Sequence, residues 1–104
     1  MSFGEKIKQR REELSLTQED IGACISAELS RQAVSKWEQD IAYPEVKNLL
    51  LLSVKLDVSL DAMFTDELAY LRRYNECTPS FLERYPGMVA GLKTIADAVK
   101  KLNL

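Results

Sequence analysis

The chain has 104 residues, of which 46% are apolar and 29% charged, and its formal net charge is −2. That length suits one compact domain with little room for a second, and the composition excludes both a disordered chain and a membrane-embedded one. The longest apolar run, Leu49 to Leu52, falls far short of the roughly 20 residues that a membrane-spanning helix needs. The opening MSFGEKIKQRR places charges where a secretory signal would be apolar, so a cytoplasmic protein with no membrane contact is expected.

Catalytic and metal chemistry find little support. Cys24 and Cys77 are the only cysteines and there is no histidine, so the donors for a zinc site and the commonest general base are both missing. No phosphate-cradling glycine loop, nucleophile elbow or paired-histidine motif is present. No catalytic residue, metal or cofactor is expected, and the two thiols read as reduced and inert.

Helical spacing dominates the whole chain, without repeats or low-complexity segments. Phe3, Ile7 and Leu14 share one stripe and predict a first helix over about residues 3–14. Thr17 is placed to cap the next helix, with Asp20 three residues on as a weak capping box, and Ile21 and Ile25 supply its apolar face. Ser30 caps a third helix whose inner face is Val34 and Trp37. The segment from Asp40 to Pro44 interrupts the pattern, because the residue before a proline is pushed out of helix. A fourth helix is predicted from about Glu45 to Leu56, then a short fifth one capped by Ser59 and carrying Leu60, Met63 and Phe64. Beyond Asp66 the character changes. A sixth helix is predicted over Glu67 to Cys77, then breaks at Thr78-Pro79 and Pro86-Gly87. Met88, Leu92, Ile95, Val99 and Leu102 follow as one stripe at four- and three-residue steps. The fold class is therefore all-α, with two parts, 1–66 and a helical C-terminal extension over 67–104.

Several segments in register narrow the choice. LTQEDIG, SRQAVSKWE, a proline six residues after Glu38, and VSLDAMF occur in one order over residues 3–66. Together they resemble the lambda-repressor/Cro-like (XRE) family of helix-turn-helix regulators. The resemblance implies a five-helix DNA-binding domain whose third helix enters the major groove of double-stranded DNA. By position it makes Arg31, Gln32, Ser35 and Lys36 the base readers or near-base contacts. Arginine can fork onto guanine O6 and N7, and glutamine can bracket adenine N6 and N7. Gln18 corresponds to a residue that meets a phosphate and braces the first reader, and Ser30 both caps its helix and touches a phosphate. Gly22 is expected where helix two crosses helix three, where only a small residue lets the backbones approach. Val34 and Trp37 lock helix three to the core, and Arg11 and Glu38 match a salt bridge in relatives. Those five residues are structural.

Two departures and one opposing signal accompany the resemblance. Gly22 to Val34 spans twelve residues where relatives have ten, so SAEL either lengthens helix two or bulges the turn. The loop after Glu38 reads Gln39, Asp40, Ile41, Ala42, without the usual glycine and basic character; Asp40 is expected in the left-handed conformation, and the missing charge weakens phosphate binding. Residues 1–66 carry eight basic against twelve acidic side chains, a balance of −4, so DNA contact has to come from a local patch.

Leu51 and Val54 lie three apart on helix four where relatives carry polar residues, with Val58 as an extension, and such a strip needs a cover. Leu92, Ile95 and Val99 of the C-terminal stripe offer one, either within the chain or from a second subunit. The function expected is a sequence-specific transcriptional regulator, a repressor that binds a palindromic operator as a homodimer. The alternative is a protein-interaction module or antitoxin-like protein that binds a protein partner through its C-terminal helices.

Overall fold

A computed structural model describes residues 1–72 together with residues 92, 95, 97–99, 101 and 102. Among the described residues the architecture is all-α: α1 (Phe3–Glu13), α2 (Gln18–Ile25), α3 (Arg31–Glu38), α4 (Val46–Leu56), α5 (Leu60–Met63) and α6 (Thr65–Arg72). None of these helices is long and apolar enough to cross a membrane.

Each start has a local cause. Ser2 accepts from the Glu5 N–H while Glu5 accepts from the Ser2 N–H, a complete capping box ahead of α1. Thr17 and Asp20 do the same for α2, and Ser30 and Ser59 accept from the N–H groups of Ala33 and Ala62 to start α3 and α5. Three ends share another device. Ser15, Asp40 and Asp57 have φ of 57°, 59° and 53°, the left-handed turn that reverses the chain. The residue after each then donates back five positions: Leu16 to Arg11 (3.0 Å), Ile41 to Lys36 (3.0 Å) and Val58 to Ser53 (3.2 Å). Asparagine and aspartate tolerate this conformation better than other side chains, which fits two of the three positions.

Phe3, Ile7, Ile21, Val34, Trp37, Leu52, Leu56 and Met63 form one buried core drawn from α1 to α5. The Phe3 ring stacks on Phe64 at 4.9 Å, and Tyr43 tilts against both. Leu14 does not complete the α1 stripe; the helix has already turned at residue 14, leaving it 38% exposed. Val58 packs on the core instead of extending the strip of Leu51 and Val54.

The core does not stop at Asp66. Because α6 starts at Thr65, the expected division after Asp66 falls inside a helix. Glu67 is buried and its Oε2 accepts the Phe3 N–H at 2.6 Å, and Tyr70 is buried as well. Burial holds the Glu67 carboxyl above its ordinary value, opposed by the Phe3 N–H, while nearby Asp40 adds to the rise. Leu92 is also buried, against its own chain, so it is not available as a surface residue for a second subunit. The rest of the predicted sixth helix up to Cys77, the Pro79 and Pro86 breaks and Met88 lie outside the described residues.

Candidate nucleic-acid interface

Helix α3 has two faces because its sequence has two kinds of residue at helical spacing. Val34 and Trp37 point into the core, 1% and 5% exposed, and fix the helix against α1 and α2. Arg31, Gln32 and Lys36 stand on the exposed face, and Ser35 is half-buried beside them. Gln32 and Lys36 are one turn apart and so project from the same side. Ser35 already receives a hydrogen bond from Gln39 Nε2 (2.9 Å), which leaves its own hydroxyl hydrogen free to turn outward.

A chain of polar contacts holds this face in place. Arg11 on α1 donates from Nε and Nη2 to the two carboxylate oxygens of Glu38, at 2.7 and 3.0 Å, and from Nη1 to the Leu16 carbonyl at 2.8 Å. The Glu38 side chain is 4% exposed, and this contact raises the Arg11 pKa beyond its already high ordinary value. Breaking such a pair is costly because the remaining charge is left buried. Gln18, on the first turn of α2, donates to Glu38 Oε1 at 3.1 Å and receives Arg31 Nε at 3.4 Å. The amide thus links the buried ion pair to the first exposed residue of α3. Arg31 also lies 3.6 Å from Glu19 Oε1, an exposed pair worth little in water.

Gly22 and Asp40 make contacts that the sequence reading did not specify. Gly22 does not admit the body of α3: a side chain there would meet the Leu29 carbonyl at 3.0 Å, in the turn just ahead of it. Asp40 takes the left-handed conformation expected of it, with φ of 59°. Its carboxylate is turned onto the start of α1, accepting from the Gly4 N–H (2.8 Å) and the Ser2 hydroxyl (2.5 Å), where the helix dipole favours an anion.

The lengthened turn resolves as a bulge. Helix α2 ends at Ile25, and Ala27 and Glu28 are exposed in a turn closed by Leu29 N–H to the Ser26 carbonyl (3.1 Å) and Glu28 N–H to Ser26 Oγ (3.2 Å). Leu29 packs on the core edge and delivers the chain to Ser30.

Sequence reasoning missed Gly4. A Cβ at this position would lie 2.5 Å from the Glu38 carbonyl oxygen and 2.6 Å from that of Trp37, so α1 begins in contact with the end of α3. No periodicity marks this residue. Ser2 and Glu5 did carry a visible signal, the S-x-x-E spacing.

The candidate residues therefore form two groups. Gln18, Ser30, Arg31, Gln32, Ser35 and Lys36 cluster at the first turns of α2 and α3 and along the outer face of α3. Leu51 and Val54 sit apart on α4, 38% and 81% exposed, where Val46 and Leu50 extend the same apolar surface. Ile95 is exposed and Val99 half-buried.

A family model described as helix-turn-helix matches residues 7–63, more than half of the chain. Among curated proteins, the chain is 36% identical over 67 residues to an HTH-type transcriptional activator, BcrR, of Enterococcus faecalis, covering 64% of this chain and 32% of that protein. It is 35% identical over 67 residues to repressor protein C2 of Salmonella phage P22, covering 64% and 30%. The chain thus spans about a third of the length of these relatives. A comparison with solved structures found no match.

Proposed function

Because the chain belongs to the helix-turn-helix family, we propose that it is a sequence-specific, double-stranded DNA-binding regulator of transcription, acting in the cytoplasm. The observation that carries this reading is the outer face of α3. Arg31, Gln32 and Lys36 are exposed there, on a helix locked from behind by Val34 and Trp37 and braced at its first residue by Gln18. An exposed, rigid helix face with forked donors is what base-edge readout in the major groove needs. Arg31 and Gln32 read bases, Lys36 and Ser30 meet phosphates, and Ser35 contributes a hydroxyl at the edge. The Asp40 carboxylate is engaged at the start of α1, by the Gly4 N–H and the Ser2 hydroxyl.

A repressor acting as a homodimer on a palindromic operator is the finer form of the proposal. The exposed strip of Val46, Leu50, Leu51 and Val54 supports it, since apolar surface of this kind is commonly covered by a partner. Selection of duplexes from a random pool, followed by titration of the selected and a scrambled duplex, tests the reading. A recovered palindrome whose half-sites are about one DNA turn apart supports the dimer. Failure to enrich any sequence, with no binding at low salt, refutes DNA recognition. Sedimentation of the chain and of Val54→Lys tests the dimer separately: the strip is its interface only if the parent is dimeric and the variant monomeric.

A second reading, a protein-interaction module that has lost useful DNA affinity, is favoured by one observation. Glu19 stands beside Arg31 and competes with any phosphate for it. Binding to random duplex at low salt separates the two readings, because a DNA regulator retains that electrostatic affinity.

A further inference from the structure

A groove of about 260 Å³, lined by no residue of α3, runs between the α3–α4 loop, α6 and residues Leu92 and Ile95. Tyr43, Leu49, Phe64 and Leu68 line it, and Leu92 closes one wall. The surface is almost wholly apolar, but Glu67 forms part of it. Glu67 is 2% exposed, and while its Oε2 is occupied by the Phe3 N–H, its Oε1 is buried without a hydrogen-bond partner among the described residues. The Tyr43 hydroxyl is likewise buried and, among the described residues, unpartnered. Two unpartnered oxygens on residues that line one apolar groove call for an explanation, since buried polar atoms are almost always satisfied. Lys6, the cation whose charge reaches Glu67, is committed elsewhere, with Nζ donating to the Ala62 carbonyl at 2.7 Å.

We propose that this groove binds a small molecule made of one apolar ring or short chain and one amine. The apolar walls take the body, and the ammonium donates to Glu67 Oε1 and, through a second hydrogen, to Tyr43 Oη. A modest turn of the terminal carboxylate torsion, which is broad for glutamate, opens Oε1 to the ligand. Charge complementarity selects the class: a carboxylate ligand would meet Glu67 and Asp40 with the same sign, and a plain hydrocarbon would leave both oxygens unmatched. The size fits as well, because a cavity of about 150 Å³ is enough for benzene. Since Leu92 forms a wall, an occupied groove ties the C-terminal residues to the DNA-binding core. Apolar pockets with a few convergent polar groups are where proteins ordinarily hold small ligands.

The test is titration of the full chain, without DNA, with phenethylamine, 3-phenylpropan-1-ol and 3-phenylpropionate, read by calorimetry and by the shift in melting temperature. Phenethylamine should bind at least tenfold more tightly than 3-phenylpropionate and raise the melting temperature. Leu68→Trp, a change at a partly exposed groove position, should fill the site and remove binding while the helical spectrum is unchanged. Glu67→Gln should bring the amine and the alcohol to similar affinity. Equal binding of the amine and the carboxylate, binding that survives Leu68→Trp, or an amine preference that persists in Glu67→Gln overturns the proposal. So does the absence of binding by all three probes, which would leave a bridging water or the chain's own side chains as the partners of both oxygens. None of these outcomes bears on whether α3 reads DNA.

Discussion

Replacing Gly4 by alanine sets two effects against each other. Alanine is the better helix former, by up to about 1 kcal/mol in a helix interior, and less at the second position of a helix. Against this, the new Cβ would sit 2.5 Å from the Glu38 carbonyl oxygen, 2.6 Å from the Trp37 oxygen and 2.7 Å from the Glu38 carbonyl carbon. All three are backbone atoms at the end of α3, so no flexible side chain can swing aside. The start of α1 has to move by most of an ångström, and overpacking of this kind costs about 1–3 kcal/mol. The same movement stretches the Gly4 N–H to Asp40, the Ser2 hydroxyl to Asp40 and the Phe3 N–H to Glu67. Hydrogen bonds to charged groups contribute about 1.5–3 kcal/mol each, so even a partial loss adds to the cost. A net loss of about 2–4 kcal/mol is expected after the propensity gain, which for a chain of this size lowers the melting temperature by about 10–20 °C. Thermal unfolding followed by circular dichroism, with urea titration as a check, measures it. A Gly4→Ala variant that melts at the parent temperature or above it would falsify the close approach of α1 to α3.

Four further outcomes are expected. Glu38→Ala leaves Arg11 without its carboxylate in a mostly buried site and should cost about 3 kcal/mol of stability by urea titration; a loss below 0.5 kcal/mol, as for an exposed pair, would mean that the bridge is solvated. Gln32→Ala should weaken binding to the selected duplex by about 1–3 kcal/mol while scrambled duplex is bound as before; equal losses on both would assign Gln32 to the backbone instead of a base. Burial raises the Glu67 carboxyl above its ordinary value, so the fold tolerates its protonated form better than the unfolded chain does, and that contribution is fully present below the ordinary value of 4.5 and lost as pH rises through the higher folded value. Glu67→Gln should therefore melt with the parent at pH 4 and above it at pH 7, and an unchanged difference between the two pH values would contradict the burial. Deleting Ala27 and Glu28 should shift stability by less than about 1 kcal/mol, because the residues are exposed and loop length is inexpensive; a collapse in melting temperature would show that Leu29 can no longer reach the core edge.

Features of this protein that depend on short-range order are legible in its residues alone. Thr17, Ser30 and Ser59 mark helix starts because a side-chain oxygen two or three residues ahead of a free N–H is a local arrangement. Val34 and Trp37 declare their inward face, and Arg31, Gln32 and Lys36 their outward one, because helical spacing alone separates them. Asp40 could be placed in the left-handed turn for the same reason. Where groups distant in sequence meet is set by the packing of the helices and has no local mark. That Asp40 turns its charge onto α1 depends on the end of α3 lying against residues 2–4, thirty-six positions away. The same approach makes Gly4 indispensable, although a glycine in an amphipathic pattern carries no mark of what it touches. The boundary after Asp66 looked natural because the family's motifs end there, yet Glu67 reaches back across sixty-four residues to Phe3. A burial pattern cannot reveal that contact, since a glutamate reads as a solvated residue until the fold encloses it. The strip on α4 shows the converse: Leu51 and Val54 read as apolar surface in the sequence and are exposed in the fold, because the described C-terminal residues put Leu92 against Tyr43, Phe64 and Leu68 instead.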